Sequence, residues 1–178
     1  MNYFLRDEKV ILRKLSEEDS FDNYLNFVND VDHLIWVGWA GCVPMNKEDL
    51  KSYLQSNNNI FLSVFDHENH HVGNIQLSSV DYIHRNAEFG MILDKKEEGK
   101  GYATSACKLI LRHAFEVLNL HRIYLSVAEQ NKKAINLYER LGFVAEGIEK
   151  ELHMWNFQYH DYIRYRMLES EYVEIMKK

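Results

Sequence analysis

At 178 residues, 46% of them hydrophobic, the chain has the length of one well-packed domain and is short for two. A formal net charge of −6 with no basic block excludes a nucleic-acid surface built on phosphate neutralisation. No apolar stretch approaches a membrane span, and Met1 to Glu8 lacks a signal-peptide core, so the reading is a soluble, cytoplasmic protein with no membrane partner.

In chain order, Val10-Ile11-Leu12 reads as a short strand. Ser16 is then an N-cap with Asp19 three residues on, ahead of Phe21, Tyr24, Leu25 and Val28 at helical spacing. Residues 31 to 45 are irregular and aromatic (His33, Trp36, Trp39) and are the expected lining of a substrate mouth. Pro44 precedes a second short helix in which Leu50, Tyr53 and Leu54 share a face. Ile60 to Phe65, Val72 to Val80 and Ala87 to Leu93 read as a three-stranded meander, with Gly73 at a bulge. His67, His70 and His71 fall between two of these strands, where a solvated hairpin loop outweighs a metal site.

Gly101 to Leu118 carries Ser105, Lys108, Arg112 and Glu116 at three- and four-residue intervals among apolar residues, the pattern of a helix packed on a sheet. Arg122 to Ala128 alternates as a strand. Asn131 caps a helix bearing Ala134, Leu137, Tyr138 and Leu141, and Gly142 ends it. Strand-like runs follow around Phe143 to Leu152 and Tyr159 to Met167. The order of elements gives an α+β or mixed α/β sheet. Cys42 and Cys107 have no CxxC spacing, so neither a disulfide framework nor a zinc site is suggested and no metal is expected.

The most informative junction is Glu98-Gly99-Lys100-Gly101-Tyr102-Ala103-Thr104, between the strand ending at Asp94 and the long helix. Glycines allow a tight turn in which successive N–H groups converge on an anion at the positive end of the helix, so a pyrophosphate fits. An ordinary β–α connection carries the same pattern.

These residues resemble the acetyl-CoA loop of GNAT-superfamily N-acetyltransferases, Gln/Arg-x-x-Gly-x-Gly/Ala, matched by Glu98 to Ala103. Asn131-Lys132-Lys133-Ala134-Ile135-Asn136-Leu137-Tyr138-Glu139-Arg140-Leu141-Gly142-Phe143 resembles the family's Asn-x-x-Ala-x-x-Leu-Tyr-x-x-x-Gly-Phe block, at the usual separation. The runs 82–89, 118–125 and 144–147 are similar to bacterial spermidine N-acetyltransferases and to the ribosomal-protein N-terminal acetyltransferase branch; the similarity spans roughly residues 8 to 172 and is strongest after residue 82. The resemblance implies a single acetyltransferase domain over residues 1–178, with a central, mostly antiparallel sheet of six to seven strands flanked by about four helices. It also implies acetyl-CoA as cosubstrate and a homo-oligomer, dimer or larger. An aromatic final segment (Trp155, Phe157, Tyr159, Tyr162, Tyr165, Tyr172) suits either a subunit interface or core strands.

Two departures stand out. Spermidine enzymes carry an acidic cluster after their first helix, whereas Trp36 to Cys42 holds no carboxylate. Glu98 replaces Gln or Arg, with Lys95, Lys96 and Lys100 at hand to offset it, so CoA binding is expected to be weakened rather than lost.

Acyl transfer from a thioester to an amine requires a neutral amine, a polarised carbonyl and a proton for the departing thiolate. The resemblance makes Tyr138 the acid, since a phenol with an ordinary pKa near ~10 is protonated at neutral pH; its alternative is core packing. Glu88 alternates with Gly90 and Ile92 on one strand face, and is a base, a ligand for a cationic substrate or an ion-paired surface residue. The resemblance places the backbone of Gly90, Met91 and Ile92 along the pantetheine arm. It places Gly99, Lys100, Gly101, Tyr102, Ala103 and Thr104 on the pyrophosphate, beside Glu98. Asn131 corresponds to the residue bonding the pantetheine chain, a role compatible with N-capping. Cys107 lies in a helix interior among apolar neighbours and reads as inert rather than as an acyl carrier.

The expected function is therefore acetyl-CoA-dependent N-acetylation of a small-molecule primary amine by direct attack, with a polyamine such as spermidine as leading acceptor. A protein N-terminus and an amino sugar are the next acceptors. A non-catalytic CoA-binding regulatory protein is the alternative of another class.

Overall fold

The computed structural model of the chain describes residues 3–16, 19, 25–26, 28–30, 44–54 and 60–177. Phe21 and Tyr24 of the expected first helix, and His33, Trp36, Trp39 and Cys42 of the aromatic stretch, lie outside the described residues. The strands are β1 (Leu5–Arg6), β2 (Ile11–Arg13), β3 (Ile60–Phe65), β4 (His71–Asp81), β5 (Asn86–Leu93), β6 (Arg122–Ala128), β7 (Val144–Trp155) and β8 (Gln158–Leu168). The described α-helices are α1 (Lys47–Leu54), α2 (Tyr102–Arg112), α3 (Lys132–Leu141) and α4 (Glu169–Met176). The fold is α+β, with one eight-stranded sheet in the hydrogen-bonded order β1-β2-β3-β4-β5-β6-β8-β7. The eighth strand, beyond the six to seven expected, is β1: two residues pairing antiparallel with β2, too short for any periodicity to reveal. β5 and β6 run parallel, whereas β2/β3, β3/β4, β6/β8 and β7/β8 are antiparallel.

The chain divides into two compact units, Met1–Ser78 with Gly90–Ile110, and Ser79–Phe89 with Leu111–Lys178. In the first, β3 and β4 pair from Ile60↔Leu77 to Phe65↔His71, with a bulge at the Val64/Phe65 step next to Gly73. Gly73 has a second reason to be glycine, because a Cβ there would collide with the Ile92 carbonyl oxygen and the Leu93 side chain. Leu50 of α1 is fully buried against Val28, with Leu15, Leu25, Met45, Phe61 and Ile92 packed around them. Inside the sheet the Ser63 hydroxyl donates to the Asn74 side-chain oxygen at 2.9 Å.

In the second unit, Ile123, Leu125 and Val127 of β6 are buried while Arg122, Tyr124 and Ser126 are half-buried, a clean period of two. The long helix expected over 101–118 is α2 followed by a π-helical turn at His113–Val117, where Leu118 N–H reaches the His113 carbonyl at 3.0 Å. α4, a helix that the alternating pattern before it does not announce, stacks Tyr172 on Phe115 at 4.8 Å and directs its hydroxyl to Glu116 at 2.7 Å. Tyr162, Tyr165 and Tyr172 of the aromatic final segment are therefore core residues, whereas Phe157 and Tyr159 are exposed.

Candidate functional site

In the first unit, the segment from Gly90 to Thr104 turns from strand to helix in defined steps. Gly90, Met91 and Ile92 form the last half of β5 and are half-buried. The side chain of Asp94 accepts from Lys96 N–H at 2.9 Å, capping a short 3₁₀ turn at Lys95–Glu97. Gly99 and Gly101 both adopt left-handed backbone, φ 81° and 86°, which other residues take only at a cost. A Cβ at Gly99 would meet nothing within 4 Å, so the turn is open at that point. The helical ladder begins with Ser105 N–H to the Gly101 carbonyl at 3.1 Å, and the amides of Tyr102, Ala103 and Thr104 precede it. Such a row of backbone donors at the positive end of an eleven-residue helix is chemically fit to hold a pyrophosphate.

Lys100 is engaged by Glu97 at 2.7 Å, and this contact holds the Lys100 ammonium above its ordinary pKa. Glu98, Lys95 and Lys96 are exposed. Two residues of the N-terminal segment, Asp7 and Lys9, converge on the start of α2. Asp7 accepts from the Ser105 hydroxyl, from Lys9 N–H at 2.8 Å and from Val10 N–H at 2.9 Å. Burial raises the Asp7 pKa, but the Ser105 and backbone hydrogen bonds outweigh it and the net shift is downward. The Lys9 side chain reaches Gly101, where an added Cβ would come within 2.9 Å of Nζ. Cys107, fully buried with Met91 Sδ at 3.6 Å, has its thiol pushed far upward by burial, which suits the inert reading.

In the second unit, Glu88 is half-buried on β5 and stands in parallel register with Tyr124 of β6, while its neighbours Ala87 and Phe89 are buried on the opposite face. The β5/β6 pairing runs over three positions, Asn86↔Arg122 to Glu88↔Tyr124. Tyr138 is 8% exposed, with its ring edge-on to Phe89 (centroids 5.9 Å, 85°) and to Phe143 (5.8 Å, 64°). The α3 C-terminus sets this geometry: Gly142 is left-handed at φ 96°, its N–H bonds the Glu139 carbonyl, and Phe143 N–H bonds the Tyr138 carbonyl at 3.0 Å. The packing role weighed for Tyr138 is thus present. Asn131 caps α3 through its side-chain oxygen, which accepts from Ala134 N–H at 3.1 Å; its amide NH₂ keeps two donors for another partner.

The histidine-rich turn between β3 and β4 gathers Asp66, Glu68 and His70, with ligand atoms within 4.8 Å of one another. Asp66 accepts from the Glu68 and His70 amides and from His70 Nδ1 at 2.8–3.0 Å, the arrangement of a hairpin turn. Among the described residues no helix is long and apolar enough to cross a membrane.

The model of the acetyltransferase (GNAT) domain family matches residues 9–144. The spermidine N(1)-acetyltransferase of Vibrio cholerae is 42% identical over 110 residues, which cover 62% of this chain and 64% of that protein. The putative ribosomal N-acetyltransferase YdaF of Bacillus subtilis is 37% identical over 100 residues, 56% of this chain and 55% of that one. The chain thus spans under two thirds of the length of both curated relatives. A crystal structure of the Vibrio cholerae spermidine N-acetyltransferase in complex with CoA and spermine superposes with a TM-score of 0.83 at 32% identity, covering 94% of this chain and 99% of that one.

Proposed function

The chain belongs to the GNAT acetyltransferase family, and from that premise we propose that it is a soluble, cytoplasmic enzyme, one acetyltransferase domain over residues 1–178, that transfers an acetyl group from acetyl-CoA to a primary amine of a polyamine such as spermidine. The observation that carries this reading is the likeness to the Vibrio cholerae spermidine enzyme across 94% of the chain. The fit of the turn at Gly99–Thr104 to a pyrophosphate supports it from the chain's own geometry.

In this reading acetyl-CoA supplies an activated acyl group with a thiolate leaving group. The amides of Gly99 to Thr104 hold the pyrophosphate, the backbone of Gly90, Met91 and Ile92 and the NH₂ of Asn131 align the pantetheine arm, and Glu98 sits at the rim. Glu88 takes the proton from the substrate ammonium, directly or through water, or holds that ammonium in place. The freed amine attacks the thioester carbonyl, an N–C bond forms as the C–S bond breaks, the Tyr138 phenol gives its proton to sulfur, and the second proton, shed by the acylated nitrogen, returns the phenolate to phenol. No metal takes part in this scheme.

A second acceptor, a protein N-terminus, is favoured by the match to YdaF. The test is CoA release from acetyl-CoA with spermidine, spermine and putrescine beside N-terminal peptides and amino sugars. Saturable turnover with a polyamine supports the reading; turnover with peptides alone moves the acceptor, and tight CoA binding without any turnover replaces the enzyme with a CoA-binding regulatory protein.

The reading includes a homo-oligomer. β7 ends the sheet order and exposes Ile148, Leu152 and Met154, and Phe157 in the following turn is 98% exposed. Light scattering on the eluted protein reads the mass, and a monomer at micromolar concentration overturns this part.

A further inference from the structure

We infer that Lys9, a residue of the N-terminal segment outside the acetyl-CoA loop, supplies the cation that neutralises the pyrophosphate of CoA. The inference rests on the reading of the loop as a CoA site.

The charges of the loop itself cancel: Asp94, Glu97 and Glu98 oppose Lys95, Lys96 and Lys100, and Lys100 is taken by Glu97 at 2.7 Å. Two negative charges on a pyrophosphate therefore meet backbone amides but no net positive side-chain charge from the loop. Lys9 fills that gap from outside it. Its Nζ lies against Gly101, within 2.9 Å of where a Cβ would stand, with Cδ and Cε at 3.8 and 3.9 Å. Among the described residues no carboxylate forms an ion pair with it, in contrast to Lys100 and Lys150, which pair with Glu97 and Asp161.

The placement is built rather than incidental. Asp7 joins the Lys9 and Val10 amides to the Ser105 hydroxyl in the first turns of α2, so the Lys9 backbone is fixed to the helix whose N-terminus faces the anion. The glycine at 101 gains a second function: beyond its left-handed φ, it leaves the space that the lysine stem crosses. Glu98, where the family has Gln or Arg, removes a cationic partner from one side of the loop, and Lys9 restores one from the other.

The test is calorimetric binding of CoA and of 3′-dephospho-CoA, which keeps the pyrophosphate, to the full chain and to Lys9→Met and Lys9→Arg. The expected result is about a fivefold loss of affinity in Lys9→Met, equal for both ligands and shrinking as salt is raised, with Lys9→Arg near the parent. Unchanged affinity in Lys9→Met overturns the inference. A loss confined to CoA also overturns it, because the lysine would then serve the 3′-phosphate. Failure of the unaltered chain to bind CoA removes the reading of the loop on which Lys9 depends, an outcome distinct from normal binding that ignores Lys9.

Discussion

Tyr138→Phe separates chemistry from packing at the most discriminating position in the chain. The phenol ring is 8% exposed and held edge-on between Phe89 and Phe143 at 5.9 and 5.8 Å, and phenylalanine retains all of that contact. Removing one hydroxyl is expected to change stability by about 1 kcal/mol or less, a melting shift of roughly 2–4 °C for a chain of this size. If the hydroxyl protonates the leaving thiolate, kcat falls by about 10²- to 10⁴-fold, or roughly 3–5 kcal/mol in the barrier, with acetyl-CoA affinity nearly unchanged. Tyr138→Ala is the contrasting variant, because it empties the centre of the aromatic trio and is expected to cost about 3–5 kcal/mol of stability. The assay is thiol release with spermidine under saturating acetyl-CoA, beside calorimetric CoA binding and thermal melting. A Tyr138→Phe enzyme within threefold of the parent kcat would refute the acid role and leave Tyr138 as a packing residue.

Glu88→Gln keeps the shape of the strand face and removes the carboxylate, so kcat/KM for a polyamine should drop at least tenfold and recover partly at high pH if Glu88 is a base; a loss that pH does not rescue marks it as a substrate ligand. Gly142→Ala places a side chain at φ 96° and against Ile175, and should lower stability in urea by about 1–3 kcal/mol; an unchanged midpoint would contradict the described helix end. Asp19 has its pKa lowered from 3.8 to about 2, chiefly by the Arg13 guanidinium at 2.6 Å. Because its folded value is the lower one, it contributes about 2 kcal/mol above pH ~4 that disappears as pH falls towards 2, and Asp19→Asn should flatten that part of the stability profile measured by urea unfolding. Cys107, buried and with its thiol pKa raised, should resist alkylation in the native chain and react only on unfolding, as mass spectrometry of the labelled peptide would show.

The parts of the fold legible from the sequence are those where local chemistry and burial agree. Asn131 and Gly142 bracket α3 with an N-cap and a left-handed C-terminus, each satisfying backbone groups at its end of the helix. The alternation of Ala87 and Phe89 with Glu88 is visible because one face of β5 is buried. β1 is not legible because two residues carry no period, and α4 is not because its eight residues bury Tyr172 alone, too little to set a helical period. The tight turn at Gly99 and Gly101 is legible, since only glycine accepts both left-handed positions cheaply.

What local pattern does not carry is the charge balance of that turn. Lys100 pairs with Glu97, three residues away, and Asp7 and Lys9 reach the same region from the N-terminal segment, through the Ser105 hydroxyl and at Gly101. A backbone cradle tells how an anion is held; it does not tell how its charge is met, because electrostatic partners are chosen by proximity in the fold and not by spacing along the chain. Replacing Glu98 with Gln therefore makes a sharp prediction about division of labour. If the amides do most of the holding, CoA affinity should rise by no more than about threefold in Glu98→Gln, since an exposed carboxylate at the rim is largely screened. In the Lys9→Met background the same substitution should recover part of the lost affinity, because the two changes act on one sum of charge. A double variant no better than Lys9→Met alone would mean that Glu98 lies outside the field of the phosphates.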